Sequence, residues 1–165
     1  LRTLSTREAD VGIESQVGSE WNHLVREIVS AATELHIRIG PGFLESIYHR
    51  GLVVELRTAG LHTSSEVEIP IFHRGVQLGI HRLDLVVAGQ AILELKAVAK
   101  LDGSHFAQLR SYMAASGLPV GLLINFAGSR VECRRVYSPQ ERAQYQALRG
   151  LRVSAPAHRG SITDP

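Results

Sequence analysis

The chain has 165 residues, 44% hydrophobic and 21% charged, a balance that suits one globular domain with its own core. No apolar run approaches the roughly 20 residues of a bilayer-spanning helix and no signal peptide opens the sequence, so a membrane partner is excluded and a cytoplasmic location expected. The single cysteine, Cys133, excludes an internal disulfide and a thiolate metal cluster, and the net charge is only +2.

Residues 1–18 show no periodicity and read as a loose leader. From Ser19 or Asn22 onward, Leu24, Ile28, Val29, Ala32, Leu35 and Ile39 recur at helical spacing, and Gly40 is the stop. Gly40-Pro41-Gly42 breaks the chain. A second helix is predicted from about Phe43 to Ala59, with Leu44, Ile47, Leu52, Val53 and Leu56 as its apolar content and Gly60 as its end.

The sheet is expected to begin near Ser65, where Glu66 to Phe72 alternate and Pro70 marks an edge or an interruption. His73-Arg74-Gly75 is a turn, and the next strand runs from Val76 to Val87, with Gly79 as a candidate bulge that would re-aim Asp84. After a turn at Ala88-Gly89-Gln90, a third strand covers Ala91 to Lys96. Asp102-Gly103-Ser104 is predicted to cap a helix running to Ser116. Val120 to Phe126 reads as a strand buried on both faces, and Arg130 to Tyr137 as a last strand with Val131, Cys133 and Val136 turned inward and the thiol packed, not reactive. Gln140 to Leu148 reads as a short terminal helix.

Helix, helix, three strands, helix, two strands is the order of an α/β or α+β domain, here placed at residues 19–149, whose helices flank a mixed sheet. Charge is unevenly spread: residues 1–129 carry 11 Lys/Arg against 13 Asp/Glu, and residues 130–165 carry 7 Arg against 3 acids. Arg130, Arg134, Arg135, Arg142, Arg149, Arg152 and Arg159 form either a phosphate-seeking surface or a solvated terminus. Beyond Gly150 the Ser, Pro and Gly content favours the second, a flexible basic tail over residues 150–165.

The chemistry concentrates in Leu83 to Lys96. Read as two strands around a three-residue loop, this stretch puts Leu83, Leu85 and Val87 on one face with Leu93, Leu95 and Ala97, and Asp84 on the other with Glu94 and Lys96. In that register Val87 faces Ala91, and Asp84 sits opposite Glu94. Two facing carboxylates need something positive between them: Lys96 is one candidate and a divalent cation the stronger one, since Mg²⁺ takes carboxylate oxygens and bridges to phosphate. The bland alternative is an exposed hairpin with a wet polar face. Of 18 cationic residues 16 are arginine, and lysine occurs only at Lys96 and Lys100. A compact ammonium where arginine is otherwise the rule favours a chemical role for Lys96.

Asp84 followed by Glu94-x-Lys96 resembles the bipartite core of the PD-(D/E)XK nuclease superfamily, with Leu83 where that name expects proline. Gly42-Phe43-Leu44-Glu45-Ser46-Ile47-Tyr48 is similar to the signature of the small bacterial GxxExxY proteins, and Gln108-Leu109-Arg110-Ser111-Tyr112 to the QxxxY helix of RecB-like nucleases. The resemblance spans about Asn22 to Val136. It implies a restriction-endonuclease-like core and a hydrolase of phosphodiester bonds, with DNA ahead of RNA as substrate. It also implies Mg²⁺ or Mn²⁺ held by Asp84, Glu94, the Leu95 carbonyl and Glu45.

In that frame Lys96 positions or helps deprotonate a water and offsets charge on phosphate, and Gln108 orients substrate or water. His105, Gln108 and Tyr112 fall at i, i+3 and i+7 on one helical face, and with Arg82 are the candidate substrate contacts. His81 flanks the site as a phosphate contact, not a ligand. Tyr48 reads as a packed, hydrogen-bonded aromatic. The rival reading is a catalytically silent module of the same fold that binds nucleic acid or protein. Targeting by a protein partner, or self-association, fits either reading.

Overall fold

A computed structural model describes residues 21–154. Helix α1 (Asn22–Ile39) buries Leu24, Ile28, Ala31, Ala32, Leu35 and His36, a stripe at the spacing the sequence showed, and ends at Gly40. Helix α2 (Glu45–Thr58) buries Tyr48, Leu52 and Leu56, one residue per turn. The two helices approach closely where Gly51 meets Leu35. A Cβ at position 51 would lie 2.5 Å from Leu35 Cδ1, so a side chain there requires Leu35 to move.

Strands β1 (Thr63–His73), β2 (Val76–Val87) and β3 (Ala91–Lys96) follow, then helix α3 (Gly103–Ser116), β4 (Val120–Asn125), β5 (Glu132–Val136) and helix α4 (Pro139–Ser154). The five strands form one mixed sheet in the order β1-β2-β3-β4-β5. Only β3 and β4 are parallel, and α3 makes the crossover between them. One face of the sheet packs Leu85, Val87, Leu93, Leu95, Leu122 and Ile124 into one core with α1 and α2. The other packs Val86, Ile92 and Leu123 into a second core with Leu109 and Met113 of α3. Covered on both sides, β3 and β4 are buried almost throughout, which explains their unbroken apolar runs.

Strand β1 lies at the edge, where Pro70 costs no ladder bond. The irregularity foreseen at Gly79 falls opposite it, where the β1–β2 register shifts between Ile71 and Phe72. A second one matters more. Ser65 pairs with Leu85 and Val67 with Leu83, while Glu66 between them has φ 52°, in the left-handed region that non-glycine residues rarely enter. Beside this break the alternation of β2 slips, which corrects one sequence expectation: Leu83 packs with Val86 and Ile92 under α3, not with Leu85.

Up to Ser138 the described residues form one compact unit, and α4 falls to a second. Helix α4 runs on through Ser154, past the expected start of the tail at residue 150. The expected leader, and the tail beyond residue 154 including Arg159, lie outside the described residues. Among the described residues no helix is long and apolar enough to cross a membrane. Arg134 pairs with Glu132 at 2.9 Å, and Arg135 donates to Asn22 Oδ1 at 3.1 Å and lies over the Tyr137 ring. Arg135 therefore ties β5 to the start of α1, while Arg134 is paired at the surface. Cys133 packs against the core, and burial pushes its thiol up to about 11, so it stays protonated.

Candidate active site

Strands β2 and β3 pair at Val87–Ala91, Val86–Ile92 and Leu85–Leu93, the register read from the sequence. The ladder stops one step before Asp84 and Glu94. Beyond it the Asp84 side chain reaches across the fork, its Oδ2 accepting the Leu95 amide at 2.9 Å. A carboxylate thus takes a backbone donor where the strands diverge, which fixes its direction.

The polar face is not wet: Glu94 is 3% exposed. Lys96 Nζ donates to Glu94 Oε1 at 2.8 Å, while Oε2 is buried with no hydrogen-bond partner. Burial pushes the Glu94 carboxyl up to about 7, the Asp84 and Glu45 charges add to the rise, and Lys96 only partly opposes it. Burial alone would lower the Lys96 pKa, but the bond to Glu94 and the charges of Glu94, Glu45 and Asp84 outweigh it, so the ammonium is retained.

Glu45 opens α2. Desolvation raises its pKa, Lys96 opposes, and Asp84 raises it further, so helix and fork share one electrostatic site. Its approach is set by Tyr48, which is fully buried and stacked on Phe126 at 4.5 Å between centroids. Tyr48 Oη donates to the Gly40 carbonyl at 2.7 Å and accepts the Phe43 amide at 3.2 Å, clamping the loop that delivers Glu45. Gly42 in that loop has φ 100°, a conformation that favours glycine. Tyr48→Phe should cost about 1–2 kcal/mol by stranding these two groups, read as a lower thermal midpoint, with α2 still helical by circular dichroism.

Helix α3 brings in the other wall. Asp102 caps it, accepting the Ser104 amide at 2.8 Å, and His105 Nδ1 returns the bond by accepting the Asp102 amide at 3.0 Å. One nitrogen of His105 is thus used by the cap, and the ring stands within electrostatic reach of Glu45. Gln108 Nε2 donates to Tyr112 Oη at 2.6 Å. Burial raises the Tyr112 pKa and the Glu94 charge raises it further, so this hydroxyl is within electrostatic reach of the carboxylates. His81 bonds Ser111 Oγ at 2.9 Å and packs its ring against Tyr112. Arg82 is turned elsewhere, paired at 2.9 Å with Glu68 on the exposed β1–β2 ribbon.

Asp84, Glu94, Lys96, Glu45 and the Gln108–Tyr112 pair therefore converge, His105 stands at the rim, and Arg82 does not join them. Two residues that sequence reasoning passed over hold the frame. His49, one turn into α2, donates from Nε2 to the Asp84 carbonyl at 3.0 Å. Asn125 at the end of β4 is 4% exposed and clasps Val98, its Oδ1 accepting the Val98 amide at 3.1 Å and its Nδ2 donating to the Val98 carbonyl at 2.8 Å, fixing the chain just after Lys96. A lone amide in an otherwise apolar strand was the available signal for Asn125; His49 carried none.

Among the described residues no three His, Cys, Asp or Glu side chains form a ready-made metal cage. The donor set nonetheless fits a hard divalent cation. Glu94 Oε2 is buried and unpartnered, the Asp84 charge makes Glu45 harder to ionise, and a single ammonium offsets three carboxylates. Asp84, Glu94, Glu45 and the Leu95 carbonyl are the oxygens available, and a cation such as Mg²⁺ completes its shell with water.

A family model described as the PD-(D/E)XK nuclease superfamily matches residues 22–136. No curated protein matches the sequence. Among solved structures, SSO0001 is similar over 66% of this chain, with 22% identity and a TM-score of 0.47, and the chain spans 56% of that protein's length. The alkaline exonuclease LHK-Exo from Laribacter hongkongensis is similar over 73% of this chain and 85% of its own, with 11% identity and a TM-score of 0.41. Its complex with dAMP is similar over 76% of this chain and 91% of its own, again with 11% identity and a TM-score of 0.41.

Proposed function

We propose that this chain, which belongs to the PD-(D/E)XK nuclease superfamily, is a metal-dependent nuclease that hydrolyses phosphodiester bonds in DNA. The observation that carries the reading is the fork itself: Asp84 aimed by the Leu95 amide, beside a buried Glu94 with one free oxygen and a retained Lys96 ammonium. Nucleases of this superfamily generally use divalent metal ions. Asp84, Glu94, the Leu95 carbonyl and Glu45 would hold Mg²⁺ or Mn²⁺. When bound, such an ion lowers the pKa of a water and neutralises charge at the phosphate.

The rest falls to this chain's own groups. Lys96 sets a positive charge against the anionic phosphate and positions, or helps deprotonate, the attacking water. Gln108, tied to Tyr112, orients substrate from the α3 side, and His105 borders the same opening. The clamp of Tyr48 on the Gly40–Phe43 loop supports assignment to the GxxExxY group, and the Gln108–Tyr112 bond supports RecB-like kinship.

The test is incubation of the protein with plasmid and with end-labelled duplex in Mg²⁺, Mn²⁺ or EDTA. Cleavage that EDTA abolishes is expected. Gel shifts without any product, in either ion, would replace the nuclease with a binding module.

A further inference from the structure

We propose that Ser46 and Arg50 form a phosphate-binding subsite on the α2 wall of the site, holding a backbone phosphate of the nucleic acid adjacent to the one at Asp84. The inference deepens the nuclease reading and rests on it. A cavity of about 430 Å³ opens at the fork, lined by Asp84 and Leu95 on one side and by Ser46, His49 and Arg50 on the other. That volume lies in the range of small-ligand sites and has room for one sugar-phosphate unit.

The cations around it are mostly committed. Lys96 is bound to Glu94 at 2.8 Å, His49 donates to the Asp84 carbonyl, and Arg82 is taken by Glu68. Arg50 differs. It is exposed, faces the cavity, and forms no hydrogen bond or ion pair with any described residue, although Glu45, Glu66 and Asp84 line the same space. A guanidinium left unclaimed beside three carboxylates is free to meet an anion from outside, and its planar fork suits two phosphate oxygens. Ser46 lies one helical turn before Arg50, on the same face and in the same cavity, and its hydroxyl is likewise without a partner among the described residues. The pair presents an O–H and a guanidinium edge across from the fork. A cation there offsets part of the repulsion that a strand entering past three acids meets.

The experiment measures cleavage kinetics of a short fluorescein-labelled DNA duplex in Mn²⁺, and anisotropy of the same duplex with the protein in EDTA. Arg50→Ala should raise KM and the anisotropy Kd roughly tenfold, with kcat within about twofold and a salt slope shallower by about one phosphate contact. Arg50→Lys should recover part of the loss, and Ser46→Ala should give a smaller rise in KM. Arg74→Ala, at the far turn of the β1–β2 ribbon, should change nothing. The subsite is overturned if Arg50→Ala leaves KM and Kd unchanged, if it lowers kcat alone, or if Arg74→Ala has an equal effect. Wild-type protein that fails to cleave removes the nuclease reading, and anisotropy then decides by itself: weaker binding by Arg50→Ala supports the subsite, equal or absent binding overturns it.

Discussion

Asp84→Asn will cleave labelled duplex DNA at least about a thousandfold more slowly than wild type, yet unfold within about 2 °C of it. Asparagine keeps a side-chain oxygen where Asp84 Oδ2 accepts the Leu95 amide, so the clasp across the fork survives. What goes is the negative charge that would hold a cation. Asp84→Ala removes both, leaves the Leu95 amide unpaired in a buried strand, and should lose about 1–3 kcal/mol as well as activity. The contrast separates chemistry from scaffolding, which an alanine variant alone does not. Lys96→Ala is a poorer probe for the same reason: it strips Glu94, 3% exposed, of its counter-charge, at a cost of about 3–5 kcal/mol. Cleavage by Asp84→Asn at more than about a tenth of the wild-type rate would remove Asp84 from the reaction centre.

Much of this centre was legible in the chain because its parts are local. Asp84, Glu94 and Lys96 lie within one hairpin, and a three-residue loop with period-2 alternation set their register without reference to the rest of the fold. The cap of α3 was equally local, since Asp102 and His105 bond each other within one turn. The slip at Asp84 was not legible. It lies across from Glu66, whose φ is positive, and glutamate carries no sequence mark of a left-handed backbone, unlike the Arg74-Gly75 turn. His49 escaped for another reason. Its partner is a main-chain carbonyl 35 residues away, a contact fixed by the packing of α2 on the sheet. Arg82 shows the converse, since adjacency to Asp84 suggested a substrate contact, yet strand alternation turns it toward Glu68 directly across the β1–β2 ladder.

In EDTA the protein will be more stable at pH 5 than at pH 8. The Glu94 carboxyl has an ordinary value of 4.5 and is raised to about 7 in the fold, burial being the largest cause. Ionising it is therefore harder in the native state than in the unfolded chain. The stability it contributes is fully present below 4.5 and is lost as pH rises through about 7. A shift of that size corresponds to at most roughly 3 kcal/mol. Glu45 is raised as well and adds in the same sense, whereas Lys96, raised above 10.5, changes charge only beyond this window. Asp102, held below its ordinary value of 3.8 by its bonds to Ser104, titrates below it. Urea midpoints measured between pH 5 and pH 8 should fall with pH, and Glu94→Gln, which cannot ionise, should flatten the slope while abolishing cleavage. Mn²⁺ at pH 8 should restore the lost stability, by about 2.7 kcal/mol at a hundred times its Kd, because it selects the ionised carboxylate. A midpoint that rises steadily from pH 5 to pH 8 in EDTA, or a slope that persists in Glu94→Gln, would mean that Glu94 is not the group whose buried charge the fold tolerates in order to bind a cation.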